Sequence, residues 1–496
     1  MFSVLEPLSP LSQQESVQHP YRRIALLAIF FLLSLALYIW LSLIAPQLDQ
    51  PIGAFMTLWG GCFVVYLIAC LWLMATRPAN GRWYWAELGI IFLGAIVFRV
   101  MLIHLPLSLS RDAWRYVWDG KMIANGYSPY QYAPDSPVLQ HLRGYVYNNT
   151  PYYQFTTKYP PGAELFYVLG YLLSPSSLFG MKSLFVLCDL ITCVALAYLL
   201  RMRGRDPRYV IFYAWSPLPL VEFAVQSHID ALTITCTVLA VLFAVSSWRY
   251  SRVLTGIFIG LATLTKLYPL ILLILVLGSR DKSRHNMMEG RDWSLLIACF
   301  VTIVVGYLPF FFLSHGNVLD ASPLSSIIGQ NEAHPGVIQV VLSDFGSHFH
   351  INARFVHVVT LAIEGGIVGG TLLFVVVQRI RRRLSIEMGL LLLTWAILVD
   401  YAHIFPWYAT ALLPWIALCI VPVWSAKGLS TRGLAILCIW YFTFTCVLSY
   451  FPVKQYATEA NWLYYFGATF GVILIGLLVA TSLYAWRTNR GRASFV

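Results

Sequence analysis

The sequence predicts an all-α polytopic membrane protein. Hydrophobic residues make up 59% of the 496 positions and charged residues only 11%. Apolar runs of about 20 residues recur from end to end, and about 20 residues of helix cross a ~30 Å hydrocarbon core. Composition and run length together exclude a soluble enzyme with buried helices. A net charge of +11 raises nucleic acid as a partner. Most of the Lys and Arg, however, fall on one predicted side of the spans, as the positive-inside rule requires. The expected partner is the lipid bilayer, with no nucleic acid.

Each element follows in order. The run at 24–46 comes after about twenty polar residues and ends without a small-residue cleavage site, so it reads as a retained span. Spans at 53–75 and 86–107 follow, with Arg22, Arg23, Arg77 and Arg82 on the cytoplasmic side. Residues 108–179 are too long for a connector and too rich in Tyr and Trp for a disordered segment. They are expected to form a first large outer loop. Inside it, 112–125 reads as a short helix that Gly126 can end and Pro129 keeps from continuing. "PGAELFYVLGYLL" at 161–173 is too short to span and is expected along the outer interface.

Spans at 180–200, 209–225 and 231–247 come next. The segment 253–278 has basic residues at both ends and Lys266, Tyr268 and Pro269 in its middle. One straight crossing there would reverse the charge rule for every later loop. A hairpin of two half-helices, with Lys266 near the outer side, preserves it. After a span at 293–313, a second outer loop at 314–353 carries "GQNEAHPG", and spans at 354–378, 386–403, 406–424, 433–450 and 462–486 complete the chain. The expectation is a bundle of about 12–14 transmembrane helices, with both termini and 279–292 cytoplasmic. The nine cysteines lie inside apolar runs and are expected to pack. Arg99, Asp189, Glu222, Glu364 and Asp400 are expected to pair within the bundle. "GGIVGG" at 365–370 reads as close helix packing.

The chemistry concentrates in "SRDAWRYVWDGKMIANGYSPY", Ser110 to Tyr130. A helix starting near Asp112 puts Asp112, Tyr116 and Asp119 on one face. Arg111 with Arg115, and Trp114 with Trp118, are i,i+4 pairs. An interfacial amphipathic helix accounts for the tryptophans and arginines. It accounts poorly for two acids on one face beside an anionic surface. An acid flanked by cations at the mouth of a membrane cavity suits a different role, in which it takes a proton from a hydroxyl while the cations hold a phosphate. The predicted cytoplasmic side has no glycine-rich phosphate loop that would hold a nucleotide sugar.

This stretch, followed by "YAPDSP" and "KYPPGAELFY", resembles the first outer loop of bacterial GT-C glycosyltransferases, and most closely the polyprenyl-phosphate-mannose-dependent mannosyltransferases and their uncharacterised relatives. The matching positions are Asp112, Trp114, Arg115, Tyr116, Asp119, Gly120, Gly126, Pro129 and Tyr130. "GLATLTKLYP" at 260–269, "SHIDAL" at 227–232 and "HIFPWYATALLPW" at 403–415 are similar to further elements of that superfamily. Three spans precede the motif here, whereas many members have one.

The resemblance implies transfer of a single sugar, mannose or another hexose or pentose, from a polyprenyl-phosphate carrier to an acceptor hydroxyl on the outer face. The acceptor would be a glycan or glycolipid, and the anomeric centre would invert. It implies Asp112 as the general base, with Asp119 as orienting partner or alternative base. Arg115, Lys158, Lys266 and Arg111 are candidates for the carrier phosphate, with Tyr159 and Tyr268 supporting sugar or phosphate. His228, Asp230, His403, Trp407 and Tyr408 are candidates for sugar or acceptor hydroxyls. Each has a plainer reading: Lys266 reaching to the interface, Asp230 capping a helix, the tyrosines and Trp407 forming an interfacial belt. No cofactor is expected. Glu332 and His334, one acid and one histidine, are not a metal site, and no divalent cation is predicted. The competing classes are a lipid-linked glycan polymerase or ligase, a lipid A-type aminosugar transferase, and a secondary transporter. A transporter would carry repeated halves, and none is visible.

Overall fold

In the computed structural model, residues 20–44, 52–78, 80–175, 177–277, 290–319, 336–400, 405–425, 428–450, 465–476, 478–479 and 481–483 are described. Seven helices among them are long and apolar enough to cross a membrane: Pro20–Ile44, Gly53–Ala75, Arg82–Leu102, Phe179–Met202, Asp292–Leu313, Ala353–Ile380 and Thr431–Ser449. Shorter apolar helices run at Asp230–Val245, Ser251–Thr263, Ile386–Leu398, Pro406–Cys419 and Gly467–Leu483. The chain is therefore an all-α multi-pass membrane protein. Among the described residues, fewer helices reach full span length than the pattern of apolar runs suggests.

Two predicted elements differ. The run at 209–225 is not one helix: it breaks into Pro207–Val210, Ile211–Ala214, Pro217–Pro219 and a π-helical turn at Leu220–Val225. Pro217 and Pro219 each remove a backbone donor, and an α-helix cannot run through both. The glycines 365, 366, 369 and 370 have no close packing partner among the described residues. Among the described residues nothing lies within 4 Å of where a Cβ on any of them would stand. Their helix leaves Leu361, Leu373 and Phe374 exposed among the described residues.

Arginines tie the helix ends together at one end of the bundle. Glu87, near the start of Arg82–Leu102, takes Arg23 at 2.7 Å and Arg208 at 2.6 Å, and Arg208 also reaches the Thr76 carbonyl that closes the second helix. Arg203 pairs with Glu387 at 2.5 Å. Arg379 donates to the Leu275 carbonyl at 2.6 Å and to that of Leu384 at 2.9 Å. Arg205 donates to the carbonyl of Ile420. The last carbonyls of a helix have no partner within it, and guanidinium groups satisfy them here.

The same contacts establish the hairpin. Arg252, at the start of Ser251–Thr263, donates to the Val276 carbonyl at the far end of the second leg at 3.0 Å. Both legs thus begin and end together, and the turn at 264–267 lies at the opposite end of the bundle. Arg252 also pairs with Asp292 at the start of the next span.

The bundle centre holds one fully buried ion pair, Arg99 with Asp189 at 2.7 Å. Arg99 also donates to the carbonyls of Ala95 and Ala214, each at 2.9 Å. It thereby joins two long helices and supports the broken 211–214 segment. All nine cysteines are free and buried. Removing one member of a buried pair leaves an uncompensated charge, at a cost of about 3–5 kcal/mol. Arg99→Met is therefore expected to lower the unfolding temperature of the detergent-solubilised protein sharply, and Arg99→Met with Asp189→Leu to recover most of the loss.

Candidate active site

The loop after the third helix packs as a folded unit. Its first helix, Asp112–Ala124, buries Arg115, Tyr116, Trp118 and Asp119, and Gly126 ends it at φ 82°. The second, Pro161–Leu173, starts and stops where the sequence predicts. The two helices touch at Gly120, where any Cβ would strike the Tyr167 carbonyl. Trp118 is fully buried and its ring lies 5.3 Å from that of Tyr147, while Trp114 meets Tyr145 edge-on at 5.3 Å. These tryptophans hold the loop together; they are not an open interfacial belt.

Asp112 stands first in its helix, half-buried. The irregular segment entering it is fixed by Gln226, whose amide oxygen accepts from Leu109 and Ser110 N–H at 3.2 Å each and whose amide nitrogen donates to Ser108 at 3.1 Å. Burial pushes the Asp112 carboxyl up to about 6, against the opposing pull of a Ser110 hydrogen bond, Lys266 and Arg115; Asp230 adds to the rise. Its neighbours in charge are thus Lys266, Asp230 and Arg115.

Lys266 sits in the hairpin turn and donates to Asp230 at 2.7 Å, its Nζ 4.1 Å from the Tyr408 ring centre. The turn is locked in place. Ala163 N–H donates to the Leu264 carbonyl at 3.1 Å, and Thr265 shares a hydrogen bond with Thr233 at 2.8 Å. A Cβ on Gly162 would fall 2.6 Å from that of Leu264. The Pro161 helix, the hairpin tip and the Asp230 helix therefore converge on Lys266.

Other predicted residues take different places. Arg115 directs Nε to both Asp119 oxygens at 2.8 and 2.9 Å. Its two remaining nitrogens donate to the Tyr152 and Phe155 carbonyls at 2.9 Å each. That guanidinium is committed to the loop, and Asp119 with it. Burial holds the Asp119 carboxyl up at about 6 despite Arg115. Lys158 and Arg111 are exposed. Tyr159 shares a hydrogen bond with Tyr116 at 3.0 Å. Asp230 opens its helix without capping it; its carboxylate goes to Lys266. Tyr268 lines an apolar crevice with Ile234, Ile271, Ile397 and Trp415. His228 is fully buried. It stacks on Trp407 at 3.8 Å, and Phe405 stacks on Trp407 at 4.4 Å. Two nearly parallel rings this close must cover opposite faces, so the indole offers no open face to a sugar. His403, Glu332 and His334 lie outside the described residues.

Sequence reasoning missed Gln226 and Glu164, whereas Glu222 pairs within the bundle as expected. Gln226 directly precedes "SHIDAL", and that position was the available signal; in the structure Ser227 after it adopts φ 67°. Glu164 is buried and takes Thr157 at 2.6 Å; burial first, then Asp119, pushes its carboxyl well up. Glu222 accepts from Tyr450 at 3.0 and 3.1 Å, with His228 3.4 Å away. Among the described residues no group of three or more His, Cys, Asp or Glu is arranged to hold a metal ion.

Residues 155–399 match the Glycosyltransferase family 87 model. The matched region is a little under half of the chain. It includes Lys158, Tyr159, His228, Asp230, Lys266 and Tyr268, and it begins after Asp112. Over that region the chain is similar to a family of glycosyltransferases.

The contact at Gly120 gives a direct test of the loop's packing. Gly120→Ala forces the Asp112 and Pro161 helices apart, and overpacking of this kind costs about 1–3 kcal/mol. A lower melting temperature of the purified variant, with transfer reduced in parallel, is the expected outcome.

Proposed function

We propose that this protein is an inverting glycosyltransferase that takes a single sugar from a polyprenyl-phosphate carrier and places it on an acceptor hydroxyl at the outer face of the membrane. The observation that carries the reading is the half-buried Asp112 carboxylate set beside the Lys266–Asp230 pair, at the end of the bundle away from the arginine ties. The family match supports sugar transfer at a bilayer. The resemblance of the loop supports the carrier.

In this reading Asp112 accepts the proton of the acceptor hydroxyl as its oxygen attacks the anomeric carbon. The bond from that carbon to the phosphate oxygen breaks on the opposite side, and its electron pair leaves with the polyprenyl phosphate. Lys266 neutralises the leaving phosphate. Asp230 and the Tyr408 ring hold that ammonium in position, as electrostatic stabilisation requires. A carboxylate near 6 is a stronger base than an ordinary one yet is still ionised at neutral pH. Arg115 and Asp119 keep the loop in shape and do not hold the phosphate. The loops at 108–179 and 314–353 face outward, and both termini lie in the cytoplasm.

Asp112→Asn is expected to lower turnover ~10²–10⁴-fold while leaving donor binding intact. Lys266→Ala should weaken donor binding as well as turnover. Transfer to native acceptors from a panel of polyprenyl-phosphate sugars, with a nucleotide-sugar control, is the measurement. Activity from the nucleotide sugar alone would sink this reading.

Protonation of Asp112 should make wild-type turnover fall as pH drops through about 6. The same group affects stability with the opposite sense. Its folded value lies above 3.8, so the stability its protonated form contributes is complete below about 3.8 and lost as pH rises through about 6. Asp112→Asn should therefore melt higher than wild type at pH 7, with the gap closing in acid. For orientation, a cysteine added at position 140 should label from outside intact cells, and protection there would reverse the assignment.

A further inference from the structure

Beside Asp112 the chain exposes aromatic side chains on a turn that the protein constrains unusually tightly. Tyr152 is 64% exposed, Tyr153 44% and Phe155 59%. A mobile surface turn would leave its carbonyls to water. Here the buried Arg115 guanidinium holds the Tyr152 and Phe155 carbonyls at 2.9 Å each. Phe155 N–H closes the turn on the Tyr152 carbonyl at 3.1 Å, and Asp135 N–H donates to the Tyr153 carbonyl at 3.0 Å. Tyr152 itself sits at φ 54°, a left-handed backbone that a tyrosine rarely adopts and that persists only where its surroundings enforce it. The enforcing group is Arg115, fixed in turn by Asp119. Its helix is the one that begins with Asp112, whose charge acts on the Tyr152 phenol.

We propose that Tyr152 is the acceptor platform: its exposed ring stacks on the apolar face of the acceptor sugar and brings one hydroxyl to Asp112. This rests on the reading of the reaction given above and names the side chain that selects the acceptor. An aromatic face and the C–H face of a pyranose are complementary in shape and polarity, and the binding free energy comes from apolar contact with a polar rim. An interfacial lipid anchor has no need of a strained backbone or of a buried ion pair to hold it. A surface that must present one hydroxyl to one carboxylate needs both, because an error of an ångström forfeits the reaction geometry. The proposal also gives a purpose to the Arg115–Asp119 pair.

The test uses the full-length protein in detergent and in proteoliposomes, a radiolabelled polyprenyl-phosphate sugar as donor, and a graded extract of native membrane glycans and glycolipids, from cells lacking this protein, as acceptor. Tyr152→Ala should need about tenfold more extract for half-maximal rate, with donor half-saturation and the rate at saturation within about twofold of wild type. Tyr152→Phe should behave as wild type. Tyr152→Gly relieves the left-handed strain, so it should melt no lower than wild type while losing acceptor affinity as the alanine variant does. Unchanged acceptor dependence in Tyr152→Ala overturns the platform. A raised donor requirement, or a rate that falls equally at every acceptor level, does the same. An effect confined to proteoliposomes marks a lipid anchor and also overturns it. If the wild-type protein transfers nothing from any carrier-linked sugar, the reaction itself is misread and the platform falls with it. Transfer by wild type with indifferent Tyr152 variants removes the platform alone.

Discussion

A bilayer supplies no water to a broken helix, and this constraint organises the molecule. Every interrupted helix leaves carbonyls and amides that must find partners inside the protein. At one end the partners are arginines: Arg208 on Thr76, Arg379 on Leu275 and Leu384, Arg252 on Val276. Because those breaks are satisfied there, the opposite end can hold the irregular backbone around Gln226, Ser227 and Lys266. The polar residues divide accordingly. Cations at one end hold the frame, and Lys266 at the other is paired with a single acid and an aromatic face.

Much of this was legible in the sequence. The two loop helices followed from a charged start, a glycine stop and a length too short to span. The hairpin followed from basic residues on both flanks of a run with a lysine and a proline in its middle. Arg99 and Asp189 were expected to pair because an apolar bundle leaves buried charges no alternative. These features depend on the local chain or on a strong global rule, and both can be read from one sequence.

What was not legible depends on what stands opposite a residue. Helical periodicity puts Arg115 and Asp112 on a polar side, but only the fold brings the Tyr152 and Phe155 carbonyls against Arg115 and so uses up its donors. Trp407 had the composition of a sugar platform, and His228 and Phe405 cover both its faces. The glycines at 365–370 carry the spacing of a packing motif with no described helix against them. The prolines at 217 and 219 were visible, yet the apolar run around them concealed that the chain breaks there. Asp112 and Asp119, seven residues apart on one face, end in different situations. One is left half-open beside a lysine, the other is closed by an arginine.

The hairpin also bears on how the protein enters the membrane. Its first leg has only 13 residues, Ser251–Thr263, and the second is interrupted by Pro269. Neither is long enough to be recognised and released into lipid alone by the insertion machinery, which selects continuous apolar segments of about 20 residues. Gly256 and Gly260 admit the backbone and side chains of the Asp292–Leu313 helix so closely that any Cβ would collide with them. The first leg, already packed on the Asp230–Val245 helix, therefore completes its packing only when that later helix has been synthesised. The lysine-bearing turn is thus held in part by a span more than twenty residues further along the chain, and its position depends on a segment synthesised after it.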